Sequence, residues 1–168
     1  KFLILSKPIS PTDSINLFQP PYFKDPFVIK YNMRSLESHD INLTFFYVPQ
    51  IVQSLRNDSL GYVGRLIVET GKVNQLFAHQ IIWNILANRF KDEEATIEDP
   101  IKPSLDLVMN EMINSFSSED LVFYETEFKF FNEVTDISGK LKPYIKKTKA
   151  EKKVKIDEEM KKIEVVEN

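Results

Sequence analysis

Apolar side chains in this chain recur at helical spacing, and in several segments they occupy two sides of the same rod. Leu105, Val108, Met109, Met112, Ile113 and Phe116 advance by steps of three and one. That is one continuous stripe on a helix of about 3.6 residues per turn. Pro103 suits its first turn, where a missing N–H is harmless. Between Ser118 and Ile137 there are two rows, Leu121–Tyr124–Phe128–Phe131 and Phe123–Phe130–Val134–Ile137. Ser118 reads as the N-cap, with Glu119 and Asp120 in the first turn, where their charge suits the dipole. A helix apolar on two sides is expected to be packed on both, as in stacked helical layers.

The other segments agree. Lys72 to Phe90 is apolar over most of its circumference, with Gln80, Asn84 and Asn88 as its one polar row, and is expected to be a mostly buried central helix. Gly71 is expected to separate it from a helix over Leu60 to Thr70. Ile41 to Arg56 is apolar but carries Pro49, and an interior proline costs a helix about 3 kcal/mol, so a kink is expected near Phe45 to Tyr47. Asp25-Pro26 and Ser10-Pro11 each combine a cap with a proline at the first helical position and open further helices. Lys91 to Lys102 reads as the longest loop, and a charged helix is expected from about Thr148 to Lys162. Glu164 to Glu167 resembles the start of a strand. Four glycines and few alternating runs leave little room for a sheet. The fold class is therefore all-α, an α-solenoid of antiparallel helix pairs with a short strand at the C-terminal end; a compact bundle is the alternative.

Composition excludes several chemistries. With no cysteine among 168 residues there is no disulfide framework, zinc–thiolate site or thiol nucleophile, which suits a cytosolic setting. No run approaches the roughly 18 apolar residues of a membrane span. The chain opens on Lys1 with no leader pattern and reads as an excerpt of something longer. Lys140 to Lys162 holds ten lysines against Glu151, Asp157, Glu158 and Glu159, a local +6 in a chain of −3, so the remainder is near −9. Such a tail either faces water as a solvated helix or favours an anionic partner, a membrane or nucleic acid.

No reaction centre is legible. The histidines are His39 and His79, and His79 reads as a core residue four positions before Trp83, with no nucleophile or second ligand at sensible spacing. No glycine-rich phosphate cradle or kinase catalytic motif occurs. Gly61-Tyr62-Val63-Gly64 matches the four-residue loop of a KH domain, but it lacks basic residues between its glycines and the surrounding sheet. Asp92, Glu93, Glu94, Glu98 and Asp99 lack calcium-loop spacing and read as a solvated acidic loop.

Longer motifs carry a resemblance. Phe46-Tyr47-Val48-Pro49-Gln50-Ile51-Val52-Gln53-Ser54-Leu55-Arg56 and Ala78-His79-Gln80-Ile81-Ile82-Trp83-Asn84 are similar to two segments of the accessory helical (PIK) domain of phosphatidylinositol kinases. Phe123-Tyr124-Glu125, Phe131-Asn132-Glu133-Val134-Thr135 and Ser138-Gly139-Lys140-Leu141-Lys142-Pro143 resemble the join to the catalytic domain in type III alpha phosphatidylinositol 4-kinases, the fungal form in particular. Ser54 and Asn57 replace the usual Ala and Tyr. The resemblance, covering roughly residues 25 to 165, implies a parent lipid kinase that moves the γ-phosphate of ATP, with Mg2+, to the 4-hydroxyl of phosphatidylinositol. It further implies residues 1–138 as helical accessory segment and 139–168 as a basic linker leading into the kinase lobes, with no catalytic, cofactor or metal residue in this chain. The implied partners are its own catalytic domain, a membrane-anchored scaffold and helical-repeat regulatory subunits, at the cytoplasmic face of the plasma membrane and without nucleic acid. Lys146, Lys147, Lys152 and Lys153 are the candidate membrane-facing residues. A stand-alone helical-repeat adaptor is the competing reading.

Overall fold

The computed structural model describes residues 2–92, 94–163 and 165. Among them the chain forms nine α-helices and four 3-10 turns, with no sheet and one isolated bridge between Phe90 and Glu98. The chain divides into two compact units, meeting at Ser117/Ser118.

The first unit holds α1 (Pro11–Asn16), α2 (Pro26–Glu37), α3 (Ile41–Phe45), α4 (Val48–Ser54), α5 (Tyr62–Val73), α6 (Gln75–Ala87) and α7 (Lys102–Asn114). Their starts follow local chemistry. Ser10 and Asp25 cap α1 and α2 through Asp13 N–H and through Phe27 and Val28 N–H, each ahead of a proline in the first turn. Pro49 does what the sequence implies: the apolar stretch breaks at Phe46–Tyr47, between α3 and α4. The core lies where α5 meets α2, α6 and α7 and where α4 meets α6. Ile51, Val52, Ile67, Phe77, Ile81, Ile85, Leu105 and Met112 are fully buried there.

Two expectations for this unit need correction. Gly71 does not separate helices; it lies inside α5, and the break falls at Asn74, whose side chain accepts the Phe77 N–H at 2.8 Å and caps α6. Gly71 serves close approach instead: a Cβ there would stand 2.5 Å from Met112 Sδ and 2.8 Å from Met112 Cγ on α7. Helix α6 is also shorter and less enclosed than the expected 72–90 segment. Phe77, Ala78, Ile81, Ile82 and Ile85 are buried, but Trp83 is half-buried and Leu76 is 61% exposed.

The second unit holds α8 (Ser118–Leu141), a 3-10 turn (Lys142–Tyr144) and α9 (Lys149–Met160). Helix α8 starts at Ser118 itself, one residue before its expected capping role would put it, and runs past Ile137 through Gly139. Its two apolar rows are not both enclosed. Phe128 and Ile137 are buried, whereas Phe130 and Phe131 are 43% and 41% exposed. Helix α9 packs on α8, as does the 3-10 turn. Its start is a reciprocal capping box: Thr148 Oγ1 accepts the Glu151 N–H, and the Glu151 carboxylate accepts the Thr148 N–H at 2.9 Å. Of the expected strand at Glu164 to Glu167, all but Val165 lies outside the described residues.

Candidate functional site

Polar side chains in the first unit lock helices together. Asp99, in the loop before α7, takes a bidentate pair from Arg56 (Nη1–Oδ1 2.8 Å, Nη2–Oδ2 3.2 Å) and accepts the Ile101 N–H at 3.0 Å. Arg56 Nε donates to Gln53 Oε1 at 2.9 Å, Gln53 Nε2 donates to Asn88 Oδ1, and Asn88 Nδ2 donates to the Asn84 carbonyl at 2.7 Å. The polar row expected on α6 is thus the inner end of a clamp joining α4, α6 and the 91–101 loop. The hydrogen bond from the Arg56 guanidinium, and then the Ile101 N–H, hold the Asp99 carboxyl down at about 2.

Two further acids of that loop are also engaged. Asp92 accepts from the Thr96 hydroxyl and from the Thr96 and Ile97 N–H groups, which lowers its pKa. Glu98 pairs with Lys102 at 2.8 Å. Arg89 Nε sits 2.9 Å from Asp106 Oδ1, within ion-pair reach but out of line for a hydrogen bond. No group of three or more metal-ligating residues exists among the described residues. His39 Nε2 is 2.7 Å from the Ile9 carbonyl, and the half-buried His79 ring meets Trp83 edge-on at 6.1 Å. Gly61, at φ 71°, precedes α5 in the left-handed region that glycine favours, while Gly64 is helical and its N–H donates to Asp58 Oδ2 at 2.8 Å. That local structure is a helix start, without the strands a KH loop needs.

In the second unit the structure sorts the lysines. Glu159, almost wholly buried, gathers three: Lys162 at 2.6 Å, Lys155 at 2.9 Å and Lys140 of α8 at 3.3 Å. The hydrogen bonds from Lys162 and then Lys155 hold its carboxyl down at about 2 against the opposing effect of desolvation. Sequence reading missed Glu159, although lysines at four before and three after were a visible sign of helical pairing. Of the expected membrane-facing residues, Lys146, Lys147 and Lys153 are exposed and Lys152 is half-buried. All four lie in this unit, and none has an ion pair among the described residues. No described helix is long and apolar enough to cross a membrane.

Packed helices clamped by side-chain polar networks make the first unit a helical domain with no reaction centre among its described residues. The sequence matches the family "Phosphoinositide 3-kinase family, accessory domain (PIK domain)" over residues 5–125, and the chain belongs to that family. It is 62% identical over 158 residues to "Phosphatidylinositol 4-kinase STT4" of Saccharomyces cerevisiae, covering 94% of this chain and 8% of that protein. It is 59% identical over 165 residues to "Phosphatidylinositol 4-kinase stt4" of Schizosaccharomyces pombe, covering 98% of this chain and 9% of that protein. "Phosphatidylinositol 4-kinase alpha 1" of Arabidopsis thaliana is 32% identical over 158 residues, 92% of this chain and 8% of that protein. The chain therefore spans less than a tenth of the length of these relatives.

Proposed function

We propose that this chain is the helical platform of a phosphatidylinositol 4-kinase, with residues 1–138 as accessory segment and 139–168 as the lead-in to the catalytic lobes. The observation that carries the reading is the identity of 62% and 59% to two proteins of that name, along 94% and 98% of the chain. The parent enzyme transfers the γ-phosphate of ATP, with Mg2+, to the 4-hydroxyl of phosphatidylinositol; the groups that bind ATP and metal belong to its catalytic lobes. This segment contributes stiffness: a buried, mostly apolar core and the Asp99–Arg56–Gln53–Asn88 clamp hold the surfaces that the lobes rest on. Positioning of this kind acts on catalysis by keeping reacting groups aligned, where displacements of about 1 Å are costly. The same reading puts the enzyme at the cytoplasmic face of the plasma membrane, with a membrane-anchored scaffold and helical-repeat regulatory subunits as partners.

The test is to prepare the catalytic lobes with and without this segment and to follow lipid phosphorylation and thermal melting. The lobes alone are expected to melt lower and to lose most of their turnover. Lobes that are equally stable and active without the segment would refute the platform role.

A further inference from the structure

The second unit carries a face whose chemistry nothing in the platform role uses. Glu159 draws Lys140, Lys155 and Lys162 inward. Lys146, Lys147, Lys149, Lys152 and Lys153 are left with no ion pair among the described residues. On α9, residues 149, 153, 156 and 160 fall at i, i+4, i+7 and i+11, one stripe of the helix. That stripe is Lys149, Lys153, Ile156 and Met160; both lysines are exposed, and Ile156 and Met160 are 38% and 50% exposed. The acids Glu151 and Glu158 lie on the opposite side with Val154, along an open groove floored by Pro143 and Tyr144. Two lysines and two apolar side chains thus share one stripe, with Asp157 bordering it four positions after Lys153 and with Glu151 and Glu158 on the far side.

We infer that the Lys149–Lys153–Ile156–Met160 face of α9 is a docking surface for an anionic lipid bilayer, lying flat at the headgroup level. The setting rests on the lipid-kinase reading; the geometry comes from this unit alone. Lysines bury their methylene stems while their ammonium groups stay among headgroups, and the short apolar stripe reaches the acyl boundary. A fluid surface suits these lysines, because diffuse negative charge needs no fixed partner geometry, whereas a carboxylate-bearing protein would have to match each one in register. Lys147 lies off this stripe and lines the groove on the opposite side with Glu151, Val154 and Glu158.

The absence of cysteine makes the test direct. An environment-sensitive dye is attached to the full chain carrying Ile156→Cys, and separately to the chain carrying Val154→Cys on the opposite side. Phosphatidylcholine vesicles doped with phosphatidylserine are expected to shift the Ile156 emission to the blue and to leave Val154 unchanged. Pure phosphatidylcholine is expected to shift neither. Lys149→Gln with Lys153→Gln should weaken vesicle partitioning by about fivefold per lysine, while Lys24→Gln with Lys91→Gln in the first unit leaves it unchanged. No phosphatidylserine-dependent shift, equal shifts on both sides, or equal losses from the two lysine pairs would overturn the inference. So would saturable binding to polyglutamate without any response to vesicles, which would make the face a protein contact. The platform role is judged separately, by the stability and turnover of the catalytic lobes, so the two can fail independently.

Discussion

Gly71 faces Met112 of α7 with no room for a Cβ between them. Alanine at 71 gains roughly 1 kcal/mol in helix propensity, but its methyl meets a fully buried thioether at 2.5 Å. Overpacking of that kind costs about 1–3 kcal/mol, so Gly71→Ala is expected to lower stability in a urea titration. Adding Met112→Ala should make the glycine change favourable, and a purely additive double-mutant cycle would contradict the steric account. Asn32 makes the opposite case. It is fully buried on α2, and neither its amide nitrogen nor its oxygen has a protein partner, as is also true of the buried Ser14 hydroxyl on α1. An unmade bond at a buried polar group costs about 1–3 kcal/mol. Asn32→Leu, close in shape, should therefore raise the urea midpoint; a lower midpoint would show that the amide is satisfied through solvent.

At the scale of elements, the clamp between α4, α6 and the 91–101 loop is an acid-sensitive joint. The folded Asp99 carboxyl, held at about 2, lies below its ordinary 3.8. Its contribution is complete above about 3.8 and disappears as pH falls through 2. Asp99→Asn should lower the melting temperature near neutrality and flatten the fall in stability between those pH values; an unchanged acid limb would discount the clamp. Along α6, Phe77→Ala at a closed position is expected to cost about 3–5 kcal/mol, and Trp83→Ala less because its ring is half-buried. Equal losses in a denaturant titration would contradict the burial pattern. The local devices were legible in sequence, since Ser10-Pro11, Asp25-Pro26 and the break before Pro49 depend on neighbours only. What Gly71 does was not, because its reason is a methionine on a different helix. The Arg56–Asp99 pair spans 43 positions and has no periodic signature.

For the whole molecule, the two units differ in what holds them together. The first encloses most of the buried apolar side chains, from Ile15 to Met112, while the second encloses Phe128 and Ile137 as its buried apolar residues among those described. A polypeptide ending at Ser117 is expected to melt cooperatively, and the second unit alone to unfold gradually, since so few buried groups cannot offset chain entropy. A sharp calorimetric transition from residues 118–168 in isolation would contradict this. The same reasoning explains which part of the site was hidden: the two apolar rows of α8 announced two-sided packing, and Phe130 and Phe131 remain exposed in this chain.

The carboxylate that collects three ammonium groups also leaves a reactivity fingerprint. Lys155 bonds to Glu159 and Glu158, and its pKa is raised, chiefly by the hydrogen bond to Glu159. At any mildly alkaline pH it therefore holds less of the free amine that attacks an acylating ester. Brief treatment with an N-hydroxysuccinimide reagent should mark Lys146, Lys147 and Lys153 early and Lys155 late, and the order read by peptide mass spectrometry would report whether α9 is seated.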